Sequence, residues 1–323
     1  MLHSGKNYRS HIQKYALRRK VADIGMISVR VPASTANLGS GFDCMGIALG
    51  LYSEANFEEI DSGLEINILD SSREFLPCDE TNYVYRAMER VFSLASKRPK
   101  GIRITSNTAI PITRGLGSSS ASLALGLIGA NELIGTPFTL DELLQVACDI
   151  EGHPDNVTPA FFGGFTVAVN HNNKVLYTKT EVPNNIRFAA MVPEFYLATK
   201  RARGILPKNV PHKNAVFNIA HAAYFASAVA KGDFSAFSVG TKDRIHQKYR
   251  FELISSAEFI IRSAKRYGAM CGYLSGAGPT IISVVDKDYE DFEKKMKGLI
   301  ATNLKNWRLL MLEPDNTGVV ITR

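Results

Sequence analysis

With 323 residues, 45% of them hydrophobic and 21% charged, the chain can bury the core of one large domain or of two moderate domains sharing a cleft. No uninterrupted apolar run reaches the roughly 20 residues of a membrane span, and no apolar signal-peptide core stands at the N-terminus, so a membrane or exported protein is not expected. The net charge of +7 invites a polyanion partner, but Lys6, Arg9, Lys14, Arg18, Arg19 and Lys20 against Asp23 place +5 of it in residues 1–25, leaving +2 for all the rest and arguing against nucleic acid.

Residues 1–25 read as a basic, disordered extension. Residues 27–31 alternate as a strand that runs into Val31-Pro-Ala-Ser34-Thr-Ala-Asn37-Leu-Gly39-Ser-Gly41-Phe-Asp43. Residues 52–60 and 64–69 are predicted to pair as a hairpin around Asp61-Ser62-Gly63. Residues 82–95 carry Val84, Ala87, Met88, Val91 and Phe92 at helical spacing. A strand at 102–106 leads to Pro111-Ile112-Thr113-Arg114-Gly115-Leu116-Gly117-Ser118-Ser119-Ser120-Ala121, and an apolar helix follows at 122–134. Thr139 and Glu142 form a capping box for a helix at 140–151. Residues 164–170 and 174–179 form a hairpin. Pro183-Asn184-Asn185 is the predicted boundary between an N-terminal domain, 26–183, and a C-terminal one, 184–323. The second half reads as a strand at 188–192, helices at 213–231, 233–242 and 256–267, strands at 269–274 and 280–285, a helix at 288–301, and strands at 308–312 and 319–322. Strands and helices mix without strict βαβ alternation, which predicts an α+β fold. Cys44, Cys78, Cys148 and Cys271 form no C-x-x-C pair, so they read as buried thiols of a reducing compartment, the cytoplasm.

The stretch Pro111–Ala121 carries the most chemistry. Its glycines let the backbone approach a bulky anion, and serines at a helix start add N–H groups, hydroxyls and the positive dipole end. No Gly-Lys-Ser/Thr follows, so it is not a Walker A loop, and Ser120 replaces the last glycine of a dinucleotide fingerprint. The plain alternative is a Gly/Ser turn that caps a buried helix. A second segment of the kind, Ser275-Gly276-Ala-Gly278-Pro-Thr280, weakens that alternative, though a tight strand-to-strand turn would also fit it.

With the Val31–Asp43 segment, these motifs together resemble the GHMP kinase superfamily, and the Ser34-Thr-Ala-Asn-Leu-Gly-x-Gly-Phe-Asp43 form is similar to that of homoserine kinases. The resemblance runs from about Met26 to the C-terminus. It implies a GHMP kinase fold, with a ribosomal-S5-domain-2-like N-terminal domain, a ferredoxin-like C-terminal domain and ATP between them. It also implies phosphorylation of the L-homoserine hydroxyl for threonine synthesis, a homodimer, and ATP with Mg²⁺. On this resemblance the cradle is Pro111–Ala121, Asn82 lies near the adenosine, and Ser119 (Ser118 second) and Glu151 hold the metal, whose hard cation needs few protein oxygens. Asn37, Asp43 and Asn156 would surround the substrate ammonium and hydroxyl, and Arg203 and Arg250 its carboxylate, with Arg201 a nearby decoy. Lys248 stands where the family has proline, which loosens the match around Arg250. Thr199 would contact the γ-phosphate or the substrate. Asp155 is the obvious carboxylate base, but the resemblance puts Asn156 in the base position, implying direct passage of the proton to the phosphate. His153 reads as a packed structural residue. The seven histidines show no zinc-ligand spacing. Other readings are a GHMP kinase for mevalonate or a sugar, which would not need both an ammonium pocket and a paired-arginine clamp; a catalytically dead relative, against which intact Ser118, Ser119 and Glu151 argue; and a nucleic-acid binder, which the near-neutral body does not favour.

Overall fold

The computed structural model describes residues 25–286 and 290–323. The extension expected to be disordered lies in the main outside the described residues, as does the predicted start of the helix at 288.

Strand β1 (Ile27–Ala36) alternates in its first half, with Ile27, Val29 and Val31 inward and Ser28 and Arg30 outward, then becomes buried on both sides where the chain enters the cleft. It pairs antiparallel with the 16-residue β2 (Met45–Ile60), the longest strand of the sheet. The other side of β2 carries two partners. Its first residues pair with β5 (Phe165–His171), and its second half pairs with β4 (Gly101–Thr108). Buried Phe57 and its neighbours on this face pack against the helices; each large apolar side chain buried is worth about 1.5–3 kcal/mol.

The predicted hairpin is not formed. Strand β3 (Gly63–Ile68) lies beyond β4 and pairs with it in parallel, giving the order β11-β1-β2-β4-β3. Two strand spacings are about 9.6 Å, and three extended residue steps from Ile60 to Gly63 just span them. The parallel pair then needs a crossover, which α1 (Tyr83–Ala95) supplies. Its N-cap Asn82 accepts hydrogen bonds from the N–H groups of Val84 and Tyr85, and its predicted apolar row is buried. Helix α2 (Ser118–Leu133) is buried almost all round between α1 and the sheet. Helix α3 (Leu140–Glu151) begins with the predicted capping box, complete in both directions. A short helix α4 (Val157–Phe162) follows; its Pro159 sits in the first turn, where a missing N–H costs nothing. β6 (Lys174–Thr180) completes the predicted hairpin with β5.

The second sheet contains β7 (Ile186–Pro193), then, after the helices α5 (Thr199–Gly204), α6 (His212–Ala230), α7 (Phe237–Gly240), α8 (Gln247–Phe251) and α9 (Ala257–Arg266), the strands β8 (Cys271–Leu274) and β9 (Ile281–Asp286), helix α10 (Glu290–Asn303) and β10 (Trp307–Leu312). Its antiparallel order, β10-β7-β9-β8, is the ferredoxin-like one. The helix predicted at 233–242 is broken into a 3-10 turn, Phe234–Ala236, and α7, because Asp233 caps the turn through Ser235. The final two strands part company: β10 stays in the second sheet and β11 (Val320–Thr322) returns to β1. Asp315 pins the crossing segment by accepting from the Tyr52 hydroxyl at 2.9 Å and from the N–H groups of Thr317 and Gly318.

Candidate functional site

The three glycine-bearing segments meet in one cleft. Ser34 N–H donates to Leu116 O at 3.1 Å, Gly276 N–H to Ala36 O at 3.0 Å, and Thr280 N–H to Arg114 O at 3.2 Å. The Ser275 hydroxyl donates to Gly115 O at 2.6 Å. Packing is so close that a Cβ at Gly115 would stand 2.4 Å from Ser275 O, and one at Gly117, whose φ is +73°, would stand 2.1 Å from Ser34 Oγ. Only glycine permits this assembly.

Gly117 precedes α2 in a left-handed conformation and makes no side-chain cap, so the first N–H groups of a 16-residue helix open into the cleft. Ser120 Oγ is buried there without a hydrogen-bond partner among the described residues. Ser119 Oγ donates to Glu151 Oε2 at 3.2 Å. Burial raises the Glu151 carboxyl, while His153 and the hydrogen bond from Ser119 oppose the shift. Open helix N–H groups, an orphaned hydroxyl and a cradle that a Cβ would fill suit a triphosphate, and the paired Ser119 and Glu151 oxygens suit Mg²⁺.

A strip of charge borders this cradle. Arg203, on α5, forks onto Asp43, with Nη2 2.7 Å from Oδ1 and Nη1 3.0 Å from Oδ2. Arg250, on α8, is fully buried; it donates to Ala202 O, Gly276 O and His246 Nδ1. Burial, with Arg203 adding repulsion, pushes its pKa down to about 10. Phe42 lies under both guanidinium groups and stacks on His246. Asp155 is buried. Its Oδ1 meets His153 Nδ1 at 2.5 Å, Asn156 N–H at 2.9 Å and Asn156 Nδ2 at 3.4 Å. The Asp155 hydrogen bond raises the His153 pKa against the opposing effect of burial. Donor atoms of Asp43, His153 and Asp155 lie within 4.8 Å of one another.

Of the residues expected at the site, Asn37, Asp43, Thr113, Gly115, Gly117, Ser118, Ser119, Ser120, Glu151, Asn156, Thr199, Arg203 and Arg250 line the cleft. Six do not. Leu116 and Ala121 face the core, and Pro111 and Ile112 stand beside the cleft without lining it. Arg114 turns away and binds the Pro193 and Glu194 carbonyls, tying the loop to the end of β7. Asn82 is committed as a helix cap, with its Nδ2 on Pro77 O. Asn37, although it lines the cleft, donates to Gly276 O and accepts from Asp43 N–H, so it braces the site. His153 is largely buried against Asp155 and shows one edge to the cleft. The sequence reading passed over Tyr83, whose side chain neighbours Ser119 and Glu151. It also passed over Ser34, which stands inside a quoted motif.

Comparison with known proteins bears on this geometry. The family model described as GHMP kinases N terminal domain matches residues 82–164, and that described as GHMP kinases C terminal matches residues 225–297. A homoserine kinase from Caldicellulosiruptor saccharolyticus is 47% identical over 298 residues, covering 92% of this chain and 96% of that protein. One from Clostridium beijerinckii is 43% identical over 297 residues, covering 92% and 98%. The crystal structure of a homoserine kinase from Cytophaga hutchinsonii is similar with a TM-score of 0.83 and 27% identity, covering 94% of this chain and 99% of that one.

Proposed function

The chain belongs to the homoserine kinase family of the GHMP kinases, and from that membership we propose how its own residues phosphorylate L-homoserine at the expense of ATP. The product, O-phospho-L-homoserine, serves threonine synthesis. The observation that carries the assignment of roles is the Arg203–Asp43 fork beside Arg250, at the edge of a phosphate cradle. An amino-acid zwitterion can replace each half of that ion pair: its carboxylate takes Arg203 and Arg250, and its ammonium takes Asp43. A mevalonate or sugar acceptor offers no ammonium for Asp43.

The N–H groups at the start of α2 and the Ser120 hydroxyl hold the ATP phosphates in place. Ser119 and Glu151 would hold Mg²⁺, which supplies neutralisation of the charge on the transferring group. Asn156 faces the cleft and orients the acceptor hydroxyl; Thr199, exposed at the start of α5, contacts the γ-phosphate side. No carboxylate base acts. Three donors converge on Asp155 Oδ1, so that group braces Asn156, and the hydroxyl proton passes to a phosphate oxygen as the new O–P bond forms. Positioning and charge neutralisation carry the catalysis, in keeping with the loose transition state of phosphoryl transfer. The proposal includes a homodimer in the cytoplasm; no helix among the described residues is long and apolar enough to cross a membrane.

ADP release from MgATP with L-homoserine, mevalonate, galactose or no acceptor tests the assignment. Stimulation by homoserine alone is expected. A flat response to all of them, in protein that still binds MgATP, refutes it.

A further inference from the structure

We propose that Ser34 is a positioning residue for phosphoryl transfer, its hydroxyl fixing the side-chain amide of Asn156 so that the acceptor hydroxyl and the phosphate cradle are held in one register. The inference rests on the reading that Asn156 receives the acceptor hydroxyl.

An asparagine amide has a broad terminal torsion and can present either its oxygen or its nitrogen to a ligand. Here both ends are specified. The carboxylate oxygen Asp155 Oδ1 accepts from Nδ2, 3.4 Å away, and Ser34 Oγ donates to Oδ1 at 3.0 Å. The Asp155 oxygen accepts from the backbone N–H of Asn156 as well, so Nδ2 faces it and Oδ1 faces Ser34. Asn156 occupies the N-cap position of α4, where asparagine commonly caps, yet its side chain makes no cap hydrogen bond. It is turned to the cleft instead.

Ser34 is itself held against the phosphate loop. It is fully buried on β1, its N–H donates to Leu116 O, and a Cβ at Gly117 would stand 2.1 Å from its Oγ. The β1–β2 register shifts between Pro32 and Ala33, immediately before it; such irregularities re-aim side chains near functional sites. One hydroxyl thus joins the loop that holds the phosphates to the amide that holds the acceptor. Asp155 completes the clamp from the other side and is itself held by His153 at 2.5 Å. In-line transfer demands this register, and a misplacement of about 1 Å can cost roughly 10²-fold in rate.

A double-mutant cycle tests the inference: Ser34→Ala, Asn156→Ala and the pair, with kcat and KM for ATP and homoserine measured on the full chain, and the thermal midpoint followed by circular dichroism. Ser34→Ala is expected to lower kcat about 10- to 100-fold with the ATP KM within about twofold of the parent. In the Asn156→Ala background the same change should alter kcat by less than about twofold, because its target is gone. Ser34→Cys, which keeps the side chain's branching with a somewhat larger atom and a weaker donor, should fall between serine and alanine, and it carries the cycle if Ser34→Ala does not fold. Equal losses in both backgrounds, or an ATP KM that rises in step with the loss of kcat, would overturn the positioning role. If homoserine fails to stimulate the parent protein, the functional reading falls first; if it stimulates and the cycle is additive, only this inference falls.

Discussion

Replacing Arg203 by alanine probes the acceptor half of the cleft. In the ligand-free protein Arg203 is already paired with Asp43 through two hydrogen bonds of 2.7 and 3.0 Å. Both side chains keep about a third of their surface in water, 37% and 34%, so solvent screens the pair, and its worth is about 0.2–1 kcal/mol. A charge-assisted hydrogen bond to the substrate carboxylate is worth about 1.5–3 kcal/mol. The pair must open for that bond to form, which leaves about 0.5–2.8 kcal/mol of net benefit. At about 1.4 kcal/mol per tenfold, Arg203→Ala should raise the homoserine KM roughly 2- to 100-fold. Initial rates with each substrate varied in turn, the other saturating, give the answer. The ATP KM should stay within about twofold, because the cradle is built from α2 and its loop. A parallel rise in both constants would show that Arg203 supports the whole cleft and would refute the carboxylate role.

Three further outcomes are expected. Asp155→Asn keeps an oxygen for the Asn156 N–H groups, so single-turnover rates should remain within about threefold of the parent; a loss of about 10²–10⁴-fold would restore Asp155 as a general base. Glu151→Gln should raise the Mg²⁺ concentration for half-maximal rate about 10- to 100-fold and weaken Mn²⁺ binding seen by electron paramagnetic resonance in the presence of ATP. Burial raises the Glu151 carboxyl, so its charge costs folding stability above the ordinary carboxylate range; the variant without nucleotide should therefore melt higher, and an unchanged Mg²⁺ requirement would remove Glu151 from the metal set. His246 is buried, which lowers its pKa, aided by Arg250 and opposed by Asp243. The unfolded chain then takes up this proton first, so stability present above about pH 6.5 is lost as the pH falls below it. The thermal midpoint should drop more steeply between pH 7.5 and 5.5 in the parent than in His246→Gln, and equal slopes would contradict the buried neutral imidazole.

Features set by neighbours in the chain were legible in the sequence. The Asn82 cap, the Thr139–Glu142 box and the apolar row of α1 form within one or two helical turns, where side-chain spacing alone decides the outcome. The glycines before α2 and the serines of its first turn showed where that helix starts for the same reason, and a helix start exposes its N–H groups whatever surrounds it. What depended on distant pairing was not legible. Residues 60 and 63 looked like the ends of a hairpin, but β4, which follows a whole helix, takes the place between their strands. Arg114 reads as part of the cradle until the end of β7 and the residue after it, Pro193 and Glu194, offer it two carbonyls. Arg203 meets Asp43 across 160 residues, and Ser34 meets Asn156 across 122. Periodicity and caps are local free-energy preferences and show in the order of residues. Which side chain faces which across a cleft is decided only when two sheets and three glycine segments pack together, because burial and hydrogen bonding then select one partner among many of equal chemistry.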